Sequence, residues 1–276
     1  MSPSSTPASP ARTGDPLFGL VAGLYLALLS TAPALFAVGR LGVDGAAALY
    51  GSVLVTFVVA TAVGWQVVTS RPWLAVRLGS TPARWSLAGL GLGYAVGGFF
   101  ALGAAGLVAV VAMFFGFFAM AVGGIIGVMA RTRHAADVLD GAERYCEFRA
   151  GWPAGARKRL GLLTAPLLVI GAAGLASIYL GPESWLWTGA QLLLPVGVSV
   201  FVQSEPHDYV LSEAGVERGN EITRRAFRWE AFSGYTRTDD ALVLHRQWRL
   251  DLRLALEDLD DPDAVEEAVR THLGRR

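Results

Sequence analysis

The stretch WSLAGLGLGYAVGGFFALGAAGLVAVVAMFFGFFAMAVGGIIGVMA, from Trp85 to Ala130, decides the fold because it contains no ionised side chain. A helix rises about 1.5 Å per residue, so crossing a hydrocarbon core of about 30 Å takes about 20 apolar residues. The stretch is more than twice as long as one crossing requires. It therefore predicts two membrane-spanning helices, with the break between them near Gly103 to Gly106.

Four further apolar segments lie on either side of this stretch, and each is long enough to cross a bilayer as a helix. They are residues 17–39, 46–69, 160–180 and 184–202. The sequence thus predicts an all-α membrane domain of six helices, which covers residues 17–202.

The composition agrees with a membrane protein. Hydrophobic residues make up 53% of the chain and charged residues 17%, and the mean hydropathy is +0.44, whereas soluble domains are about 25% charged. The single cysteine, Cys146, excludes an intrachain disulfide, and no Cys/His cluster predicts a metal or cofactor site. The Ser- and Pro-rich residues 1–16 are expected to be disordered.

The arginines predict the orientation of the spans, because cations near helix ends are retained in the cytoplasm. They concentrate in two connections, the one after span 2 with Arg71, Arg77 and Arg84, and residues 131–159 after span 4. The remaining connections are nearly free of charge. We therefore expect a multi-pass protein of the cell membrane with both termini in the cytoplasm.

Glycines recur inside the long apolar stretch. Pairs four residues apart, such as Gly93 with Gly97 and Gly123 with Gly127, allow helix backbones to approach closely. We expect these faces to pack helices together within the bundle. The alternative is that they join copies of the chain into a homo-oligomer.

The connection of residues 131–159 permits two interpretations. Its charged residues recur every three or four positions, which predicts a solvated amphipathic helix that ends at Gly151–Pro153. Alternatively, Asp137, Asp140 and Gly141 resemble the opening of the signature of membrane phospholipid synthases that join CDP-alcohols. That resemblance implies a divalent metal held by aspartates, but the later aspartates of the signature are missing.

A small basic cluster follows at the start of span 5, formed by Arg157, Lys158 and Arg159. Such a cluster fixes the topology of the span. It is also a candidate contact for anionic lipid head groups.

From residue 203 onward the long apolar segments give way to short alternating ones. Trp248 to Leu256 alternates with the period of a half-buried strand. Turn residues at 213–215, 218–220, 233–234 and 239–240 separate such segments. Asp261 and Pro262 predict the start of a closing amphipathic helix. The sequence thus predicts a small cytoplasmic β-rich domain over residues 203–276. Since this tail is acidic overall, it is not expected to bind nucleic acid.

The segments YVLSEAGVERG, FRWEAFSGYTRTDDALVLH and LEDLDDPDAVEEAVRTHL resemble the pleckstrin-homology-like (PH-like) domains attached to multi-span membrane proteins of bacteria and archaea. The resemblance implies a partial β-barrel with a C-terminal helix. Because the tail is short for such a domain, we expect a barrel that is either incomplete or completed by residues 131–159 or by a second subunit. It also implies a basic surface that binds anionic lipid head groups or a protein partner. The candidate residues are Arg224, Arg225, Arg228, Arg246 and Arg249. The alternative is that these arginines are paired on a solvated sheet.

Three functions are therefore compatible with the sequence. The favoured one is an accessory, scaffolding or regulatory role without catalysis, because no catalytic signature appears. The second is a transporter or channel for a neutral or small solute, with Gln66 and Gln191 as polar groups in the spans. The absence of ionisable groups deep in the spans argues against ion coupling. The least favoured is a membrane lipid-processing enzyme that uses Asp137 and Asp140.

Overall fold

A computed structural model of the chain describes residues 15–43, 45–180, 193–194, 197–198, 205–220, 223–247 and 251–274. The chain divides into two compact units. Unit 1 comprises Met1–Gly141 with Glu221–Ala226, and unit 2 comprises Ala142–Asn220 with Phe227–Arg276.

Unit 1 is helical. Its helices are α1 (Pro16–Arg40), α2 (Ala46–Thr69), α3 (Trp73–Ser80), α4 (Ser86–Phe100) and α5 (Leu102–Val138), with a 3-10 turn over Pro82–Trp85. Three of them, α1, α2 and α5, are long and apolar enough to cross a membrane, which confirms the predicted membrane character. Helix α4 has 15 residues, fewer than the about 20 that one crossing requires. The count of six spans stays a prediction, and residues 184–202 lie outside the described chain apart from two short pieces.

Helices α4 and α5 form an antiparallel hairpin. The helical path is interrupted at Gly106, whose φ of 48° and ψ of −123° are not helical, at the position where the sequence predicts the break. Glycines allow the two backbones to meet, because a Cβ added to Gly91, Gly98 or Gly116 would lie less than 3.0 Å from backbone atoms of the opposite helix. A leucine at any of these positions would therefore force the helices apart.

The two glycine pairs predicted from spacing behave differently. Gly123 and Gly127 pack against the backbone at Leu87 and Arg84, so this pair makes the expected helix contact. A Cβ on Gly93 or Gly97 would meet nothing within 4 Å. The predicted packing of that pair is wrong for the contacts within the described chain, because Gly91, Ala95 and Gly98 form the buried face of α4.

Unit 2 contains helices and two sheets, whose described pairs of strands are antiparallel. The elements are β1 (Arg144–Ala150), α6 (Ala154–Leu180), β2 (His207–Ser212), β3 (Gly215–Gly219), β4 (Arg224–Arg228), β5 (Phe232–Arg237), β6 (Ala241–Arg246), β7 (Leu252–Ala255) and α7 (Pro262–Arg270); residues 224–226 of β4 belong to unit 1. The strand orders are β1-β2-β3-β4 and β5-β6-β7. A small β-rich domain with a C-terminal helix is thus confirmed.

Strand β1 comes from the connection that precedes α6. It pairs antiparallel with β2, and Ala150 lies opposite His207. The prediction of an amphipathic helix as far as Gly151 is wrong beyond Val138, where α5 ends. The physical reason is the alternation of Cys146, Phe148 and Ala150, which places these side chains against the core of unit 2. The connection therefore adds a strand to the β-rich domain predicted for residues 203–276.

The core of unit 2 is built from large apolar side chains. Tyr235, Leu242, Leu244 and Leu254 are completely buried. Helix α7 closes the core with Val265 and Val269, and Leu273 just after the helix packs there as well. Its predicted start is confirmed, because the Asp261 carboxylate accepts a hydrogen bond of 3.0 Å from the amide of Ala264.

The predicted turns have different outcomes. Residues 213–214 form the turn between β2 and β3, and residues 239–240 form the bend between β5 and β6. The predicted turn at Ser233–Gly234 is wrong, because the register shift between Phe232 and Gly234 marks a bulge inside β5. Gly234 has a φ of 151° there, which a glycine adopts without strain.

Candidate functional site

The first candidate is the junction, which we define as Gly151 to Arg157 together with Ala255 to Asp258. The amide of Gly151 donates to Oδ2 of Asp258 at 2.7 Å, and the amide of Ala255 donates to the carbonyl of Gly151 at 3.1 Å. These bonds fix the residues that link β1 to α6 onto the end of β7. The start of α6 is therefore held by the β-rich domain.

The three residues of the basic cluster at the start of α6, Arg157, Lys158 and Arg159, have different surroundings. Nε of Arg157 donates to the carbonyl of Trp152 at 3.0 Å, and its guanidinium lies 3.7 Å from a carboxylate oxygen of Glu257. Lys158 and Arg159 are exposed. Arg157 thus belongs to the junction, while its two neighbours remain candidate contacts for lipid head groups.

The arginines Arg224, Arg225 and Arg228 lie on β4, the last strand of its sheet. Arg224 and Arg228 are exposed, and Arg225 is half-buried. Of the other two candidates, Arg246 lies over the ring of Phe227 at 4.4 Å, and Arg249 falls outside the described residues. The arginines of β4 are therefore spread along a strand that ends the sheet.

A hydrogen-bonded chain joins Thr236, His245 and Asp251. The Thr236 hydroxyl lies 2.8 Å from Nε2 of His245, and Nδ1 of the same ring lies 3.1 Å from Oδ2 of Asp251. A hydroxyl, imidazole and carboxylate in this order can move a proton. Asp251 also accepts a hydrogen bond of 3.1 Å from the amide of Arg246, so it closes the turn between β6 and β7.

Sequence reasoning missed this chain because its members lie on different elements. Thr236 pairs with Val243 across the sheet, which makes His245 its diagonal neighbour on the same face. We assign the hydrogen bonds among Thr236, His245 and Asp251 a structural role, because each of them joins neighbouring segments of one sheet.

The aspartates proposed for a lipid-processing enzyme do not form a metal site. Asp137 is exposed in the last turn of α5, and Asp140 lies in the turn that follows. Among the described residues there is no group of three or more His, Cys, Asp or Glu side chains that could hold a metal ion.

In unit 1, Asp15 connects the start of α1 to α5. Its carboxylate accepts from the amides of Leu17 and Phe18 at 2.8 and 3.0 Å and pairs with Arg133. Burial acts to raise the pKa of Asp15, but the amide hydrogen bonds and Arg133 outweigh it and hold that pKa below its ordinary value. Asp15 is therefore ionised at neutral pH.

A cleft of 350 Å³ lies between α1 and the α4–α5 hairpin. Its lining includes Ala32, Pro33, Phe36, Gly93, Tyr94 and Gly97. The Tyr94 hydroxyl is buried and has no hydrogen-bond partner within the described chain. Of the two glutamines considered for solute transport, Gln66 is exposed on α2, and Gln191 falls outside the described residues.

Comparisons with known proteins give no relative for this arrangement. No family model matches the chain, and searches of curated proteins and of solved structures also give no match.

Proposed function

We propose that this chain is a multi-pass protein of the cell membrane with an accessory or regulatory role, in which a cytoplasmic PH-like domain acts without catalysis on a membrane segment. The observation that carries the proposal is the pairing of β1 with β2. Ala150 and His207 are direct partners in the ladder, so the chain between them leaves the domain and returns to it at one place.

This pairing supports a defined topology for residues 151–206. Because paired residues lie on the same side of a membrane, the chain between Ala150 and His207 must cross the bilayer an even number of times. Helix α6 (Ala154–Leu180) has 27 residues, which is long enough for one crossing, and the apolar residues 184–202 are available for the return. The spans at this position would then form an insertion inside the β-rich domain.

The strand arrangement supports the PH-like resemblance. Seven strands form a four-stranded and a three-stranded sheet, and one amphipathic helix closes their core. Residues 144–150 add a seventh strand to the six that the tail alone contains. In the proposed domain, α6 therefore separates the first strand from the others in sequence.

The junction gives such a domain a means of regulation. The bonds from Gly151 to Asp258 and Ala255 attach the first turn of α6 to β7. A partner that binds the four-stranded sheet, which contains both β1 and β4, and shifts β1 would shift the base of α6 with it. The exposed Arg224 and Arg228 on β4 favour an acidic protein segment as this partner, because an end strand accepts an added strand and the cations attract acidic side chains.

The test is photo-crosslinking in intact cells with a photoreactive residue at Arg228. We expect a discrete protein adduct from this position and none from Arg253, which is exposed on the other sheet. The adduct should disappear when Leu244→Ala destabilises the domain. Equal labelling at both positions would contradict the docking surface. Lipid turnover by the purified protein that Asp140→Ala abolishes would replace the proposal with an enzymatic one.

A second candidate, movement of a small neutral solute, is favoured by the cleft beside Tyr94. An unpaired hydroxyl in an apolar cleft costs free energy until a ligand pairs with it. If the cleft belongs to a solute pathway, Tyr94→Phe should reduce solute flux into liposomes, while Tyr50→Phe, at a side chain that is 75% exposed, should leave the flux unchanged. Absence of any selective flux would remove this candidate.

A further inference from the structure

Helix α3 has one side packed against α5 and the opposite side open. Ala75 is 4% exposed, and a Cβ added to Gly79 would lie less than 3.0 Å from the backbone of Ala130 on α5. Because backbone contact of this kind leaves no room for a larger group, it fixes the rotation of α3 about its axis. Trp73 and Arg77 lie one turn apart on the opposite side of the helix, and both are exposed.

The open side of α3 combines cations with an aromatic ring. The guanidinium of Arg77 lies 5.9 Å from the centre of the Trp73 ring, and Trp73 is 52% exposed. Arg71, just before the helix, is exposed as well. We call these three residues the α3 face. Such a combination is typical of helices that lie in the membrane–water interface, where the indole ring occupies the boundary and the cations contact the head groups.

No carboxylate of the described chain balances the charge of the α3 face. The sequence contains no Asp or Glu between Asp44 and Asp137. Neither Arg71 nor Arg77 forms an ion pair with a carboxylate of the described residues. The two guanidiniums are therefore open to an anion that comes from outside the described chain.

The position of α3 identifies the source of this anion. Helix α2, which is apolar enough to cross a membrane, ends at Thr69, and α3 packs on α5 at Ala130, where the apolar stretch of α5 ends. The α3 face therefore lies at the level of the lipid head groups when unit 1 is in a bilayer. We propose that the α3 face binds the head groups of anionic phospholipids in the membrane that holds unit 1.

The charge requirement is tested by lipid titration of the full-length protein in detergent, followed by native mass spectrometry. Phosphatidylglycerol should bind more tightly than phosphatidylcholine. Arg77→Gln should weaken phosphatidylglycerol binding about fivefold, which corresponds to about 1 kcal/mol for one cation near a membrane surface. The matched control is Arg40→Gln, at an exposed arginine that ends α1 and has Asp44 in the same connection. Equal effects of the two substitutions would overturn the proposal.

The place of binding is tested in nanodiscs with phosphatidylglycerol that carries a photoreactive group in its head group. We expect adducts on residues 71–77, with fewer adducts there in Arg77→Gln than in Lys158→Gln, because Lys158 belongs to the other candidate contact for head groups. Unchanged thermal unfolding would show that both variants fold. Adducts that are lost in Lys158→Gln and kept in Arg77→Gln would reject the α3 face.

The same samples separate lipid from other anions. Inorganic phosphate, added at constant ionic strength, should leave the adducts on residues 71–77 unchanged. Loss of these adducts would show a site for free anions and reject the lipid. Displacement by an acidic peptide, together with equal binding of phosphatidylglycerol and phosphatidylcholine, would indicate a protein partner and likewise reject the lipid.

Discussion

The α4–α5 hairpin of unit 1 and the core of unit 2 are packed on opposite principles. In the hairpin the buried residues of α4 are Gly91, Ala95 and Gly98, so the backbones themselves are in contact. In unit 2 the largest fully buried side chains include Tyr235 and several leucines. Lipid gives no hydrophobic reward for burying a leucine, so close backbone contact holds helices together there, whereas water rewards every apolar side chain it loses. The hairpin of unit 1 should therefore be destabilised when a buried residue is enlarged, and the core of unit 2 when a buried side chain is truncated.

The largest effect is expected from enlarging the hairpin contact. Gly116→Leu places a side chain where even a Cβ would lie less than 3.0 Å from backbone atoms of Ala95. We expect a loss of more than about 3 kcal/mol, above the usual range for overpacking because backbone cannot move aside as a side chain can. Thermal unfolding in detergent measures it. Gly103→Leu, which would meet nothing within 4 Å, is the control, and equal melting temperatures would refute the contrast.

Truncation of the core of unit 2 comes second. Leu244→Ala removes a side chain that is 0% exposed, which should cost about 3 kcal/mol. Hydrogen exchange of the amides of β5 and β6 in nanodiscs measures the change. The same truncation at Leu90 on α4, which is 57% exposed, should leave α4 unaffected. A large loss at Leu90 would show that unit 1 also depends on large side chains.

A smaller effect is expected where the start of α6 is attached to the β-rich domain. Asp258→Ala removes the acceptor that the amide of Gly151 reaches at 2.7 Å. One lost hydrogen bond should lower local protection by about 1 kcal/mol, seen as faster exchange of the Gly151 amide. Asp260→Ala, at an exposed position of the adjacent turn, serves as the control. If both variants exchange equally at Gly151, the attachment does not depend on this carboxylate.

The smallest effect concerns the pH dependence of the stability of unit 2. Burial first, and Arg218 second, lower the pKa of His207 below its ordinary value of 6.5. The folded state therefore favours the neutral ring. Its contribution to stability is present above about pH 6.5 and is lost as the pH falls through the folded pKa. Unit 2 should melt earlier at low pH, and His207→Gln should reduce this dependence.

Hydropathy and turn chemistry were sufficient for much of the fold. The apolar lengths of α1 and α2 and the break at Gly106 follow from local sequence, because a membrane helix satisfies its own backbone within one segment. The cap at Asp261 is equally local. Strand β1 was missed because the charged residues around it also fit a helical spacing, and because its partner β2 follows only after the whole of α6.

The candidate sites were less accessible to sequence reasoning than the fold. The chain Thr236–His245–Asp251 joins parts of three neighbouring segments of a sheet. In the sequence, each of these residues looks like an ordinary solvent-exposed polar side chain. Only the tertiary fold brings them within hydrogen-bond distance of one another.

The position of β1 ahead of α6 has a consequence for biosynthesis. The ribosome completes β1 before α6 and makes β2 only afterwards, so in the proposed topology β1 stays unpaired with β2 while α6 enters the bilayer. Domains otherwise close as soon as their chain emerges. In that topology the four-stranded sheet closes only when the chain returns at His207, so folding of the domain would follow integration into the membrane.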